Sequence, residues 1–126
     1  MSRLALGTVQ FGLHYGVANQ SGQVSIAESG DMLQLASANK IEMLDTAISY
    51  GDSEACLGEV GTQGFKLVTK LPAMPNNCSD IHAWVQQQVN ASFSRLGVKS
   101  TYGLLLHRSE QLLEPNGGAL SHALQA

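Results

Sequence analysis

Cysteine, proline and long apolar runs are all scarce in this sequence, and each shortage excludes a class of protein. Two cysteines are too few for a disulfide scaffold, and Cys56 and Cys78 lack the paired spacing of a zinc or dithiol site. We therefore expect two free thiols. With only 3 prolines and 13 glycines, the chain lacks the composition of a collagen-like or disordered protein.

Hydropathy and charge limit the location and the partners of the protein. No apolar run approaches the roughly 20 residues that a helix needs to cross a bilayer, and strand-like sequence begins almost at Met1 instead of a signal peptide. The 10 Asp and Glu residues outnumber the 7 Lys and Arg residues, and no basic block could neutralise a row of phosphates. We expect a cytoplasmic protein that binds neither a membrane nor nucleic acid.

Strand-like and helix-like segments alternate along the chain, which is typical of a parallel α/β sheet with crossover helices. Short apolar runs predict strands at residues 3–8, 41–47, 65–71 and 101–107. Helices are predicted from a Ser25/Glu28 capping box to about Asn39, at residues 53–60, from a cap at Ser79 or Asp80 to a stop at Gly97, and at residues 119–126. Since 44% of the residues are hydrophobic, residues 1–126 can form one globular domain or part of one.

Four polar side chains stand out by their positions relative to the predicted strands. Asp45 lies at the end of the second strand, and Tyr50 follows it in the next loop. Lys70 and His107 lie at the ends of the third and fourth strands. Taken singly, each has an ordinary interpretation as a loop cap, a turn aromatic or a solvated strand end. The carboxyl ends of parallel strands all lie at the same end of the sheet. We therefore expect the four side chains to lie close together there.

The chemistry of these residues fits a proton donor with electrostatic support. A phenol is a weak acid at neutral pH unless a nearby cation favours its anion. Lys70 can supply that cation, and Asp45 on the adjacent strand can pair with the lysine and orient it. His107 can act as a neutral donor toward a substrate oxygen. The residue types therefore predict acid catalysis with Tyr50 as the donor.

A series of short motifs carries a family resemblance. The motifs are Leu6-Gly7-Thr8, Leu44-Asp45-Thr46-Ala47 with Tyr50-Gly51 and Glu54, Val68-Thr69-Lys70, and the stretch 92–97 before Leu105-Leu106-His107. In this order they resemble the aldo/keto reductases over nearly the whole chain. The stretches Gly-Thr-Val-Gln-Phe-Gly and Tyr-Gly-Val-Ala-Asn are similar to bacterial members found with polysaccharide biosynthesis genes.

The resemblance implies a TIM (β/α)8 barrel that reduces the carbonyl group of a small aldehyde or ketone. The reductant would be a nicotinamide cofactor, usually NADPH with NADH as the alternative, and the resemblance implies no metal. Tyr50 matches the general acid, and Lys70 and Asp45 match its supporting pair. His107 matches the residue that orients the carbonyl.

The resemblance also implies a cofactor site and an incomplete barrel. Gly7, Thr8 and Asp45 match positions that line the nicotinamide ribose. A complete barrel needs about 250 residues, so 126 residues provide only about the first four βα units. We expect two unpaired strand edges and an open apolar interior. A second copy of the chain or the missing C-terminal half would close the sheet, and both alternatives stay open.

Two other functions are compatible with parts of the sequence. A non-catalytic half-barrel could use its exposed strand edges and apolar face as an assembly or interaction module. A nucleotide-phosphate binder could use the glycine-rich loop after the first strand, but Gly7 and Gly12 fit neither the P-loop nor the Gly-x-Gly-x-x-Gly spacing. Carbonyl reduction is therefore the first hypothesis, and the assembly module is the second.

Overall fold

Four parallel strands with helices between them form the architecture. A computed structural model describes residues 2–126, and Met1, which the predicted domain includes, lies outside them. The elements are β1 (Leu6–Gly7), α1 (Ile26–Ala38), β2 (Met43–Asp45), α2 (Ser53–Val60), β3 (Lys66–Leu71), α3 (Ile81–Leu96), β4 (Gly103–Leu106) and α4 (Gly117–Gln125). Short 3-10 helices at Val9–Phe11 and Ser109–Leu113 follow β1 and β4. The predicted order of strands and helices is confirmed.

Helix boundaries follow the capping signals in the sequence. In α1 the Ser25 side chain accepts a hydrogen bond from the Glu28 backbone N–H at 3.2 Å, and the Glu28 carboxylate accepts one from the Ser25 N–H. Asp80, one of the two predicted caps, accepts a hydrogen bond from the third residue of α3. Gly97 ends α3 with a positive φ of 68°, a conformation that favours glycine. These two helices therefore begin and end as the sequence predicted.

The start of α4 differs from the prediction. The helix was predicted to begin at residue 119, but it begins at Gly117. A Cβ atom at Gly117 would lie 2.0 Å from the carbonyl oxygen of Leu112. The glycine therefore lets α4 begin in direct contact with the preceding 3-10 helix. Three strands are also shorter than predicted: β1 has two of the six predicted residues, β2 three of seven and β4 four of seven, whereas β3 is shorter by only one residue.

The sheet has the order β1-β2-β3-β4, and every pairing is parallel. Within residues 2–126, β1 and β4 each pair on one side only, so both predicted open edges are present. Along β3, Leu67, Thr69 and Leu71 are buried under the helices, whereas alternate residues such as Lys66 and Lys70 point to the other face. The open face is therefore mixed in polarity, and the expectation of an apolar interior was wrong for β3, which places two lysines there.

The hydrophobic core lies between the sheet and the helices in two clusters. The first contains Phe11, Leu33, Leu44, Cys56, Leu57, Leu67 and Leu96. The second contains Leu71, Met74, Val85, Leu120 and Ala123. Both cysteines are free, as expected, and Cys56 is buried in the first cluster. Among the helices of the described chain, none has the length and apolarity needed to cross a membrane.

Candidate active site

The four predicted site residues meet at the carboxyl ends of the strands. Asp45 is the last residue of β2, and Lys70 lies near the end of β3. His107 follows β4 directly, and its N–H donates to the carbonyl of Leu71 at 3.0 Å, which continues the β3–β4 pairing. Tyr50 lies in the turn between β2 and α2. The parallel sheet thus brings together residues that are far apart in the sequence.

The Lys70 ammonium group is the centre of this arrangement. Its Nζ donates to Asp45 Oδ2 at 2.8 Å, to the Thr46 carbonyl at 2.9 Å and to the Tyr50 hydroxyl at 3.4 Å. These acceptors account for the three N–H donors of an ammonium group. The Lys70 side chain is 16% exposed, so its charge is partly shielded from solvent. The ammonium is therefore held in place, and its field acts directly on the phenol oxygen.

Two aromatic contacts fix the surroundings of the phenol. Lys70 Nζ lies 4.9 Å from the centroid of the Tyr50 ring. The rings of Tyr50 and His107 have centroids 5.8 Å apart and an interplanar angle of 88°, which is an edge-to-face contact. His107 is exposed and Tyr50 is partly exposed. A substrate oxygen can therefore approach the phenol and the imidazole from solvent.

A buried hydroxyl cluster holds the turn that carries Tyr50. Ser53 Oγ lies 3.0 Å from Thr8 Oγ1 and 2.9 Å from Thr46 Oγ1, and all three side chains are fully buried. Ser53 Oγ also donates to the Thr8 carbonyl, and Thr8 Oγ1 donates to the Asp45 carbonyl. The cluster joins the ends of β1 and β2 to the first turn of α2. In the sequence Ser53 was only the first residue of the predicted helix 53–60, and this role was missed.

The residues predicted to line the cofactor differ in their exposure and in whether their polar groups are free to bind a ligand. Gly7 is exposed and pairs in register with Asp45, and a Cβ atom at Gly7 would meet nothing within 4 Å. The protein surface is therefore open at Gly7, beside Asp45. The Thr8 hydroxyl is directed inward and is occupied by the Asp45 carbonyl and Ser53. The Thr8 backbone N–H donates to the Asp45 carbonyl, and its own carbonyl accepts from Phe11 and Ser53. The residue is fully buried, so Thr8 shapes this end of the sheet from behind without offering a free group to a ligand.

A buried carboxylate behind the site is a second feature that sequence reasoning missed. Glu54 of α2 is 1% exposed. Its Oε2 accepts hydrogen bonds from Thr69 of β3 at 2.9 Å and from Ser92 of α3, and its Oε1 accepts two from Arg95 of α3 at 2.8 and 3.0 Å. A charged group is tolerated at this depth because each of its oxygens is hydrogen-bonded. The motif that contains Glu54 and the stretch 92–97 were both noted in the sequence, but nothing there indicated that they pair.

A cavity in the described chain lies away from these residues. It has a volume of about 590 Å³ and is lined by residues that precede β3 and β4, such as Phe65 and Tyr102. This position is at the opposite end of the strands from Lys70. The side-chain geometry, and not the cavity size, therefore identifies the candidate site.

A comparison with protein families agrees with this geometry. Residues 3–117 match the model described as the aldo/keto reductase family. The chain belongs to the aldo/keto reductase family. No curated protein matches it.

Solved structures of aldo/keto reductases share the fold. Two Pseudomonas aeruginosa proteins described as aldo-keto reductases superpose over 98% of this chain, with TM-scores of 0.76 and 0.74 and sequence identities of 30% and 26%. A Bacillus halodurans aldo-keto reductase, solved in its holo form, has a TM-score of 0.60 at 19% identity over 82% of this chain. The chain spans only 51%, 50% and 35% of these three proteins. The four parallel βα units therefore match the N-terminal half of an aldo/keto reductase barrel, as the sequence predicted.

Proposed function

We propose that this chain carries the proton-transfer side of NAD(P)H-dependent carbonyl reduction, with a small aldehyde or ketone as substrate. The observation that supports the proposal most strongly is the Lys70 ammonium shared between Asp45 and the Tyr50 hydroxyl. A proton donor must leave a stabilised anion behind, and a fixed cation next to the oxygen provides that stabilisation. Membership of the aldo/keto reductase family supports oxidoreduction in general.

In the proposed reaction, the Tyr50 hydroxyl donates its proton to the carbonyl oxygen of the substrate. The Lys70 ammonium stabilises the phenolate that forms, and Asp45 keeps the ammonium in position. His107, next to the phenol ring, offers a second hydrogen bond to the same oxygen. When bound, the reduced nicotinamide supplies the hydride that the carbonyl carbon accepts.

The cofactor in this proposal is NADPH, with NADH as the alternative. Gly7 and the Asp45 carboxylate would contact its ribose end, with the buried Thr8 holding Asp45 from behind, and the exposed position of Gly7 supports that assignment. We further propose that residues 1–126 are the N-terminal part of one cytoplasmic barrel domain. A second copy or a C-terminal half would supply its remaining units, because the chain spans about half of its structural relatives.

Cofactor binding and turnover test the proposal. A titration with NADPH, followed by cofactor fluorescence, should saturate at micromolar concentrations. Turnover of a simple aldehyde should then fall by about 10²–10⁴-fold in Tyr50→Phe, the usual contribution of a general acid. Tyr102→Phe is the matched control, because that tyrosine is exposed at the other end of the strands. Retained turnover in Tyr50→Phe would refute the assignment, and no binding up to millimolar NADPH would refute catalysis by this chain alone.

The open edges of the sheet favour a second candidate, a non-catalytic module that assembles with a second copy of itself. Beside β1, an apolar groove of about 270 Å³ is lined by Leu6, Met32, Leu35, Ala36, Asn39 and Ile41. Beside β4, exposed leucines include Leu104, Leu105, Leu112 and Leu113. Parallel pairing of the β1 edge of one copy with the β4 edge of the other would satisfy both edges and cover both apolar flanks.

The mass of the chain in solution separates this candidate from a single half-barrel. Size-exclusion chromatography with light scattering should give a dimer that Leu35→Glu dissociates, because the charge would enter the groove beside β1. Val17→Glu is the control, since Val17 is fully exposed in a loop. A stable monomer of the unaltered chain would contradict the assembly module.

A further inference from the structure

The buried Glu54 carboxylate joins two segments that are next in sequence to the residues on which the proposed proton transfer depends. Glu54 is four residues after Tyr50, in the first turn of α2, and its partner Thr69 is the residue before Lys70 in β3. In residues 2–126, the hydrogen bond from Thr69 Oγ1 to Glu54 Oε2 is the only side-chain hydrogen bond between α2 and β3. It therefore couples the helix that follows Tyr50 to the strand that carries Lys70.

The other contacts of Glu54 make this coupling rigid. Ser92 and Arg95 of α3 bind the same carboxylate, so its rotamer is fixed from the side opposite the strand. The Arg95 side chain is 36% exposed, whereas the Glu54 side chain is 1% exposed. Solvent therefore reaches the arginine but not the carboxylate of this ion pair. By contrast, the hydroxyl cluster around Ser53 ties the same turn only to β1 and β2. The loop before Tyr50 is already joined to β3 by the hydrogen bond from the Ile48 N–H to the Lys70 carbonyl at 3.3 Å, and Glu54 adds a restraint from α2, on the other side of Tyr50.

We propose that Glu54 is a positioning residue that sets the approach of Lys70 Nζ to the Tyr50 hydroxyl. Its meaning for catalysis rests on the proposed carbonyl reduction, but the geometric claim does not. The separation of 3.4 Å between these two atoms depends on how α2 lies against β3. Loss of the carboxylate should let the Tyr50 turn move away from Lys70, while Asp45 and the Thr46 carbonyl still hold the ammonium.

The test measures this approach by NMR, without cofactor or substrate. Because Lys70 Nζ lies 4.9 Å from the Tyr50 ring centroid, the Lys70 Cε protons should show a ring-current displacement, with Tyr50→Leu as the zero reference. An internal control is present in the same spectrum, because Lys66 Nζ lies 5.2 Å from the Tyr102 ring at the other end of the sheet. A general loss of order would change both signals, and a positioning role changes only the first.

Glu54→Leu, which removes every hydrogen bond of the carboxylate, should remove most of the Lys70 displacement and leave the Lys66 signal unchanged. Glu59→Leu on the same helix is the matched control, because its carboxylate is exposed, and it should change neither signal. Thr69→Val, which removes only the link to β3, should act like Glu54→Leu, and it is the deciding variant if Glu54→Leu does not fold. Thr69→Ser keeps the hydroxyl and should restore the displacement.

The results distinguish a positioning role of Glu54 from a purely stabilising one. They also test the role of Glu54 separately from the proposed carbonyl reduction. If folded Glu54→Leu and Thr69→Val melt at a lower temperature but keep the full Lys70 displacement, Glu54 only holds the helices together and the proposal is overturned. In an active assembly, the positioning role predicts a fall in kcat, on the order of 10²-fold for a shift of about 1 Å, with little change in KM. Absence of turnover in the unaltered protein would refute carbonyl reduction while the NMR result on Glu54 still stands.

Discussion

The contact between the first loop and the turn that carries Tyr50 leaves no space for a side chain at Gly12. A Cβ atom there would lie 1.8 Å from the Tyr50 carbonyl oxygen, 2.3 Å from the Ser53 nitrogen and 2.9 Å from the Asp52 nitrogen. All three are backbone atoms, so no side chain can rotate away. The φ of Gly12 is −122°, which any residue adopts. We therefore predict that Gly12→Ala destabilises the protein for steric reasons alone.

The size of the effect follows from these distances. Ordinary contact of a Cβ atom begins near 3.4 Å, so the Tyr50 carbonyl would have to retreat from 1.8 Å by more than an ångström. Overpacking of this kind costs about 1–3 kcal/mol of unfolding free energy. Because the turn that must move carries Tyr50, we also expect any turnover to fall by roughly 10²-fold, the cost of a displacement of about 1 Å.

Urea unfolding followed by the fluorescence of Trp84, the single tryptophan, measures the loss of stability. Gly30→Ala in α1 is the matched control. The nearest atom to a Cβ there is Val60 Cγ1 at 3.7 Å, an ordinary contact, and alanine is favoured over glycine in a helix by about 1 kcal/mol. The two substitutions should therefore shift the urea midpoint in opposite directions. A Gly12→Ala midpoint equal to or above that of the unaltered protein would refute the steric reasoning.

Three further changes have defined outcomes. Gly58→Ala would place its Cβ atom 1.9 Å from a backbone carbonyl of α3, so the urea midpoint should fall as it does for Gly12→Ala. Gln111→Leu removes the buried side chain that binds both the N–H and the carbonyl of Met74, and it should cost about 1–3 kcal/mol for each group left unpaired, with faster hydrogen exchange at the Met74 amide. The hydrogen bond from Arg108 lowers the pKa of Glu110, so its small stabilising effect is present above the unfolded-state pKa and is lost as the pH falls through the folded-state value. Arg108→Gln should raise that pKa toward its ordinary value in an NMR titration, and an unchanged titration would contradict the pairing.

The site residues at the strand ends could be predicted because they depend only on chain order. Once strands and helices alternate, a parallel sheet places Asp45, Lys70 and His107 at the carboxyl end of the sheet, whatever the details of helix packing. The alternation of side chains along β3 then directs Lys70 to the open face and Thr69 toward the helices. Helix caps were predictable for the same reason, since the pairing of Ser25 with Glu28 is local.

The restraints behind the site could not be predicted, because they join residues far apart in the sequence. Glu54 meets Ser92 and Arg95 across 38 and 41 positions, and Thr8 meets Ser53 across 45. Such pairs depend on how closely α2 packs on α3 and on β1, which no periodicity encodes. The close approach of Gly117 to the preceding 3-10 helix is similar, since the same glycine in the sequence also fits a loop.

The side chains proposed to transfer the proton come from three adjacent strands, β2, β3 and β4, and from the turn after β2. Every acceptor of the Lys70 ammonium comes from the end of β2 or the turn after it, and the imidazole comes from the end of β4. None of these contacts crosses the open edges at β1 and β4. The geometry of Tyr50 and Lys70 should therefore be the same in the isolated chain as in any assembly that closes the sheet. If the proposed cofactor binds, closure should change its affinity, so we expect NADPH affinity to differ with and without assembly while the Tyr50–Lys70 contact stays the same.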